Sequence, residues 1–133
     1  LAAELVLHVL IDGSYRKHVE ALRTRLAQAR SETAARLQSI GIQPWIEPQA
    51  GMFLWCRLPD CLDAADVARA ALERGVVLAP GNAFSLSQSA SNFMRFNVSQ
   101  TLSDRTFQVL DEAMRSARKT GDRESIKPGP DTR

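Results

Sequence analysis

Cysteine is scarce in this sequence, with only Cys56 and Cys61 among 133 residues, so no disulfide framework is expected. Cys56 alternates with Met52, Leu54 and Leu58 on one side of an extended run, which predicts a buried, reduced thiol. Cys61 follows Pro59-Asp60 at a turn, and a reducing cytoplasm is the simpler home for both. Histidine is as rare: His8 and His18 have no Cys, Asp or Glu at ligand spacing around them, which argues against zinc or any other metal site. No Gly-rich phosphate loop is present, and Pro80-Gly81-Asn82 alone is a turn. Serine and cysteine nucleophile motifs are absent, and no pair of carboxylates stands out on facing strands. Neither sign of charge dominates: 17 Lys and Arg against 15 Asp and Glu leave +2, which argues for no polyanionic partner. Leu1–Ile11 is apolar but broken by Glu4 and His8. It falls short of the ~18 apolar residues of a membrane span, and no basic segment marks it as a targeting signal. No internal repeat is found.

A hydrophobic share of 44% and a charged share of 24% are those of an ordinary folded domain, long enough to bury a core. The chain opens on Leu1, already inside a helix pattern, which suggests a piece of a longer protein. A helix apolar on nearly all sides should be buried on nearly all sides. Leu1–Ile11 is therefore expected to pack against another part of the parent protein or a second subunit.

Asp12-Gly13-Ser14 breaks that helix, and Ser14 is the expected cap of the next. Tyr15, Val19, Leu22, Leu26, Ala29, Thr33, Leu37 and Ile40 recur at spacings of three and four, predicting a long helix with one buried stripe that Gly41 ends. Arg16, Arg23 and Arg30 form a row beside this stripe, partly neutralised by Glu20. A solvated or inter-domain face explains the row better than a nucleic-acid contact. Ile42 to Glu47 is a short strand that Pro44 confines to an edge or a start. After the turn Pro48-Gln49-Ala50-Gly51 comes a strand from Met52 to Leu58. Asp63 caps a helix with Ala64, Val67, Ala68, Ala71 and Leu72 inward, closed by Gly75. Val76 to Ala79 reads as a brief buried strand stopped by Pro80-Gly81, and Asn82 to Asn92 as a surface loop. Phe93 to Ser99 is a strand, and Ser103 caps a last helix with Phe107, Leu110, Met114 and Ala117 inward. The expected fold is an α/β two-layer sandwich, a small mixed or antiparallel sheet of three or four strands covered by helices. The domain is expected over residues 1–119, with 120–133 as a flexible tail.

Alternation in the strand Phe93 to Ser99 puts Met94, Phe96 and Val98 on one face, and Phe93, Arg95 and Asn97 on the other. The apolar trio belongs in a core, so Arg95 is aimed away from it. A solvated arginine, or one paired with a surface acid, is the default meaning of such a residue. A fork that grips a carboxylate is the sharper one. Trp45, Phe53, Trp55 and Phe84 are candidates to line a pocket, although strand aromatics more often belong to a core.

The ordered set Pro48-x-Ala50-Gly51-Met52-Phe53-Leu54-Trp55, Leu58-Pro59, Gly75-Val76, Pro80-Gly81-x-x-Phe84 and Arg95-Phe96-Asn97-Val98 resembles the C-terminal small domain of class I/II aminotransferases. These are fold-type I enzymes that use pyridoxal 5′-phosphate (PLP). The start Tyr15-x-x-His18-x-x-x-Leu22-Arg23 is most similar to the MocR branch of GntR-type regulators, which join a winged-helix DNA-binding domain to an aminotransferase-like body. The resemblance implies that Arg95 grips the α-carboxylate of an amino-acid substrate. Gly51, Met52 and Phe53 would border that substrate, and Phe84 would lie near the site's entrance. One departure is Ala50, where the family usually has glycine; a methyl there restricts the backbone if positive φ is needed. PLP chemistry needs a Schiff-base lysine and an acid facing the pyridine nitrogen. The lysines here are Lys17, Lys119 and Lys127, none in a matching segment, so the chain is expected to carry no catalytic residue and to bind no PLP alone. The implied partners are an N-terminal large domain of the same protein, an amino-acid substrate, a second copy in a homodimer, and DNA only through a separate upstream domain.

Overall fold

In the computed structural model, which describes residues 1–100 and 103–124, the backbone opens with two helices, α1 (Ala2–Ile11) and α2 (Ser14–Ser39). The side chains of Cys61 and of residues 121–124 are outside that description, as are Ile126, Lys127 and the rest of 125–133. The turn between the helices is capped by Asp12, whose carboxylate accepts the Ser14 N–H at 2.8 Å, while Ser14 is the first helical residue. Ser14 is therefore not the cap expected: Gly13 holds the N-cap position without a side chain, and the carboxylate of Asp12 takes up the Ser14 N–H instead. Accepting that bond lowers the Asp12 carboxyl below its ordinary pKa.

The stripe on α2 is buried only towards its end, at Thr33 and Leu37, while Tyr15 and Leu22 are exposed. Leu26 and Ala29 are partly buried against the core, whereas no residue before Leu26 packs against it. Its C-terminus closes as a Schellman motif. Gly41 takes φ +87, the Gly41 N–H donates to the Gln38 carbonyl, and the Ile42 N–H donates to that of Leu37. Ile42 and Leu37 are both fully buried, which supplies the apolar contact of that motif.

Four antiparallel strands follow: β1 (Gln43–Pro44), β2 (Phe53–Arg57), β3 (Ala79–Pro80) and β4 (Phe93–Asn97), in the spatial order β1-β2-β4-β3. Pro44 and Pro80 each lie on an edge strand, where a missing N–H costs no ladder bond. The 76–79 run is not the buried strand expected: of the four only Ala79 belongs to a strand, Val77 is 83% exposed, and Val76 and Leu78 are partly buried against the core. A four-residue apolar run has no period to say which way it faces. Between β2 and β3, α3 (Ala64–Leu72) is capped by Asp63, whose carboxylate accepts from Ala65 N at 2.7 Å and more weakly from Asp66 N. Its final Leu72 is exposed, contrary to the inward stripe, which ends at Ala71. The last helix, α4 (Asp104–Glu124), is capped by Ser103 through the Thr106 N–H. The expected boundary at Lys119 falls inside α4, because extending an existing helix is far easier than starting one.

The core lies between one sheet face and the helices. Leu54, Cys56, Met94, Phe96 and Val98 meet Leu37 of α2, Val67 and Ala71 of α3, and Phe107, Leu110 and Met114 of α4, all buried. Burying each large side chain of this set contributes ~1.5–3 kcal/mol. Met52 was expected on the same face but is 43% exposed, since it precedes β2 and its alternation. Cys56 is a free buried thiol, and burial pushes it from 9.0 up to about 12. α1 differs from the rest: none of its residues is buried. Among the described residues no helix is long and apolar enough to cross a membrane.

Candidate functional site

The second face of the sheet carries no helix, and Arg95 lies in its middle. In the β2–β4 register Trp55 stands opposite Arg95, and Ala79 stands opposite it on the other side. The Arg95 guanidinium carbon is 3.9 Å from the Phe84 ring centroid and 4.4 Å from that of Phe53. Among the described residues no acid pairs with Arg95 and nothing accepts a hydrogen bond from its side chain. Two aromatic faces attract the charge without consuming its N–H donors, so the fork stays available to a carboxylate. This excludes the bland expectation of a surface ion pair within the described residues.

An open cleft of about 480 Å³ adjoins the guanidinium, between Phe53, Arg95 and Asn97 on one side and Val76, Leu78 and Ala79 on the other. The apolar run that failed as a strand thus forms a wall of this cleft. A second cleft, of about 470 Å³, lies between α2 and residues 44–48. Its one arginine, Arg30, is already engaged: Nη1 donates to the Gly51 carbonyl at 2.9 Å and Nη2 to that of Gln49 at 3.0 Å. Arg30 therefore ties down the turn that leads into β2 and is not part of a solvated row.

Of the residues expected to border a substrate, Phe53 and Phe84 are brought to Arg95. Gly51 is turned towards α2 through its carbonyl, and the Met52 backbone carbonyl accepts a hydrogen bond from the Val98 N–H. The backbone at 50–51 answers the departure noted above: Gly51 takes φ +91, and Ala50 needs no positive φ. Phe84 sits on a short 3₁₀ turn, Gly81–Phe84, anchored at its base. Gly81 is buried, and a Cβ there would collide with the carbonyl oxygens of Ala90 and Phe93. Asn82 Oδ1 accepts from Ala90 N at 2.9 Å, closing the loop that carries Phe84 over the face. The Pro-Gly pair is thus a close approach of two backbones. The remaining aromatics form a row that spacing alone did not reveal. Trp45 meets Phe93 edge-on at 5.3 Å, Phe93 stacks on Trp55 at 5.6 Å, and Trp55 meets Phe84 edge-on at 6.3 Å.

The residues around this face do not fit PLP by themselves. A Schiff base needs a lysine amine, yet Lys17 is exposed in the first turn of α2, Lys119 is exposed near the end of α4, and the cleft is lined by neither lysine nor acid. Nor do three or more His, Cys, Asp or Glu gather into a metal-binding group among the described residues. The planar fork of Arg95 matches the geometry of a carboxylate.

Comparison with known proteins agrees with this shape. The Escherichia coli protein named uncharacterized HTH-type transcriptional regulator YdcR is 34% identical over 98 residues, which are 72% of this chain and 21% of that protein. An LL-diaminopimelate aminotransferase from Oleidesulfovibrio alaskensis is 32% identical over 112 residues, 84% of this chain and 26% of its own. The structure of Pyrococcus horikoshii kynurenine aminotransferase matches with a TM-score of 0.64 at 27% identity, over 90% of this chain and 29% of that one. LysN, the α-aminoadipate aminotransferase of Thermus thermophilus, matches in fold with a TM-score of 0.70 at 21% identity, over 86% of this chain and 31% of its own. The chain spans less than a third of the length of each of these proteins. The family model for aminotransferase class I and II matches residues 1–114, and the chain belongs to that family.

Proposed function

We propose that this domain supplies the carboxylate grip of an amino-acid site in a PLP-dependent aminotransferase, with Arg95 as the gripping residue. The observation that carries this reading is the Arg95 guanidinium held between Phe53 and Phe84 with no acidic partner among the described residues. Two parallel hydrogen bonds to the α-carboxylate would fix the substrate's position and so aim its α-amino group. Phe53 and Phe84 border the bound molecule, and Gly51 and Met52 shape the approach to it. PLP, its Schiff-base lysine and the remaining substrate contacts come from an N-terminal large domain of the same protein. The exposed apolar α1 is the surface that packs against that domain, and the whole protein works as a homodimer.

In the full-length protein with PLP, Arg95→Ala is expected to weaken amino-acid binding by ~2–5 kcal/mol, roughly 30-fold to several thousand-fold. Unchanged affinity for every amino acid tested would refute this role.

The similarity to the regulator named YdcR favours a second reading of the same site. Here the domain senses an amino acid or its PLP adduct and passes the occupancy to an upstream DNA-binding domain, in the manner of MocR-type GntR regulators. A DNA-binding titration of the full-length protein, with and without amino acid, separates the two: a sensor changes its DNA affinity, an enzyme only turns over.

A further inference from the structure

The aromatic row on the open face ends on the guanidinium, which gives the ring next to last in that row a function. We propose that Trp55 is a positioning residue for Arg95, acting through Phe84; the proposal rests on Arg95 being the carboxylate grip.

Phe84 covers one side of the guanidinium at 3.9 Å, yet it is 48% exposed and sits at the end of a short turn. Gly81 and Asn82 anchor the backbone of that turn but make no contact that fixes the orientation of the phenyl ring. The ring that meets it is Trp55, edge-to-face at 6.3 Å and 78°. Trp55 is itself fixed, stacked on Phe93 at 5.6 Å and 11° on a five-residue strand at the centre of the sheet. The register places Trp55 opposite Arg95, so one residue sets the positions of both ring and charge. With Trp55 truncated, Phe84 can swing into solvent and Arg95 keeps only Phe53 against it. A guanidinium held on one side samples more orientations, and more of them must be lost when a carboxylate binds.

The test uses the full-length protein with PLP and compares L-leucine and L-phenylalanine with their decarboxylated counterparts, 3-methylbutylamine and 2-phenylethylamine. The ratio of amine to amino-acid Kd reports the carboxylate grip, and a general loss of stability would shift both ligands alike. Trp55→Ala is expected to lower this ratio about 3- to 10-fold, and Trp55→Phe to restore most of it. Phe84→Ala should give a similar loss, and the double variant no more than Phe84→Ala alone, because the two act in series. A ratio unchanged by Trp55→Ala while Arg95→Ala abolishes it would overturn the proposal, as would additive losses in the double variant. Should Trp55→Ala fail to fold, Trp55→Leu carries the same comparison. A ratio unchanged by Arg95→Ala would instead refute the grip itself.

Discussion

Replacing Gly81 by alanine separates a lack of space from a lack of conformational freedom. Gly81 has an ordinary negative φ, so the backbone would accept any residue there; the obstacle is the Cβ. It would overlap the carbonyl oxygens of Ala90 and Phe93, the latter at 2.8 Å, and the Phe93 Cβ at 2.9 Å. These atoms belong to the first residue of β4 and to the turn before it, and they cannot retreat without opening the Phe93 N–H to Ala90 carbonyl bond of 3.1 Å. Such overpacking costs ~1–3 kcal/mol, and alanine returns ~0.4–1 kcal/mol by restricting the unfolded chain. The net loss is about 1–2 kcal/mol. With a urea m-value of about 2 kcal/mol/M, the midpoint should fall by about 0.5–1 M, read from the fluorescence of Trp45 and Trp55. Gly51 is the control. A Cβ there meets nothing within 4 Å, but φ is +91. Gly51→Asn should therefore be nearly tolerated, since asparagine visits the left-handed region, whereas no side chain should be tolerated at Gly81. A Gly81→Ala midpoint equal to or above that of the parent would refute the reasoning.

Two other substitutions test the core. Thr33 is fully buried, and its Oγ1 has no hydrogen-bond partner among the described residues. Thr33→Val keeps the shape and removes the unpaired hydroxyl, so it should raise stability by about 1 kcal/mol; a lower melting temperature would contradict the assignment. Cys56, held neutral up to about 12, predicts an alkaline weakness. Above 9.0 the unfolded thiol loses its proton while the folded one keeps it, so the unfolded state binds fewer protons and stability falls as pH rises. The parent should lose up to about 1.4 kcal/mol per pH unit relative to Cys56→Ala from near 9 towards 12. A difference that stays flat across that range would refute it.

The parts of this fold that were legible in the sequence are those set by local chemistry. Asp63, Ser103 and Gly41 act where their side chains or lack of one predict, and the alternation through Met94, Phe96 and Val98 assigned the two faces of β4 correctly. What was not legible depends on partners distant in the chain. The repeat of Arg16, Arg23 and Arg30 gives a shared side of α2, but not that Arg30 would find backbone carbonyls 19 and 21 residues later. Val76 and Leu78 of the 76–79 run pack against the core while Val77 is exposed, a division that four consecutive apolar residues do not announce. In the site, alternation pointed Arg95 away from the core, while the resemblance implied only that Phe53 borders a substrate and Phe84 lies near an entrance; their stacking on the guanidinium is seen in the structure alone. The role of Trp55 needed the β2–β4 register, which neither strand specifies alone.

That register has a consequence for how this family segment can vary. Leu54 and Cys56 face inward against Phe96 and Met94, while Phe53 and Trp55 face outward beside Asn97 and Arg95. Inserting or deleting a single residue within a strand would exchange that strand's two sets, and in β4 it would turn the guanidinium into the oil and the core methyls into water. Length changes should therefore be confined to the connections, such as the stretch between Ser85 and Ser89, where a longer or shorter chain leaves both faces as they are.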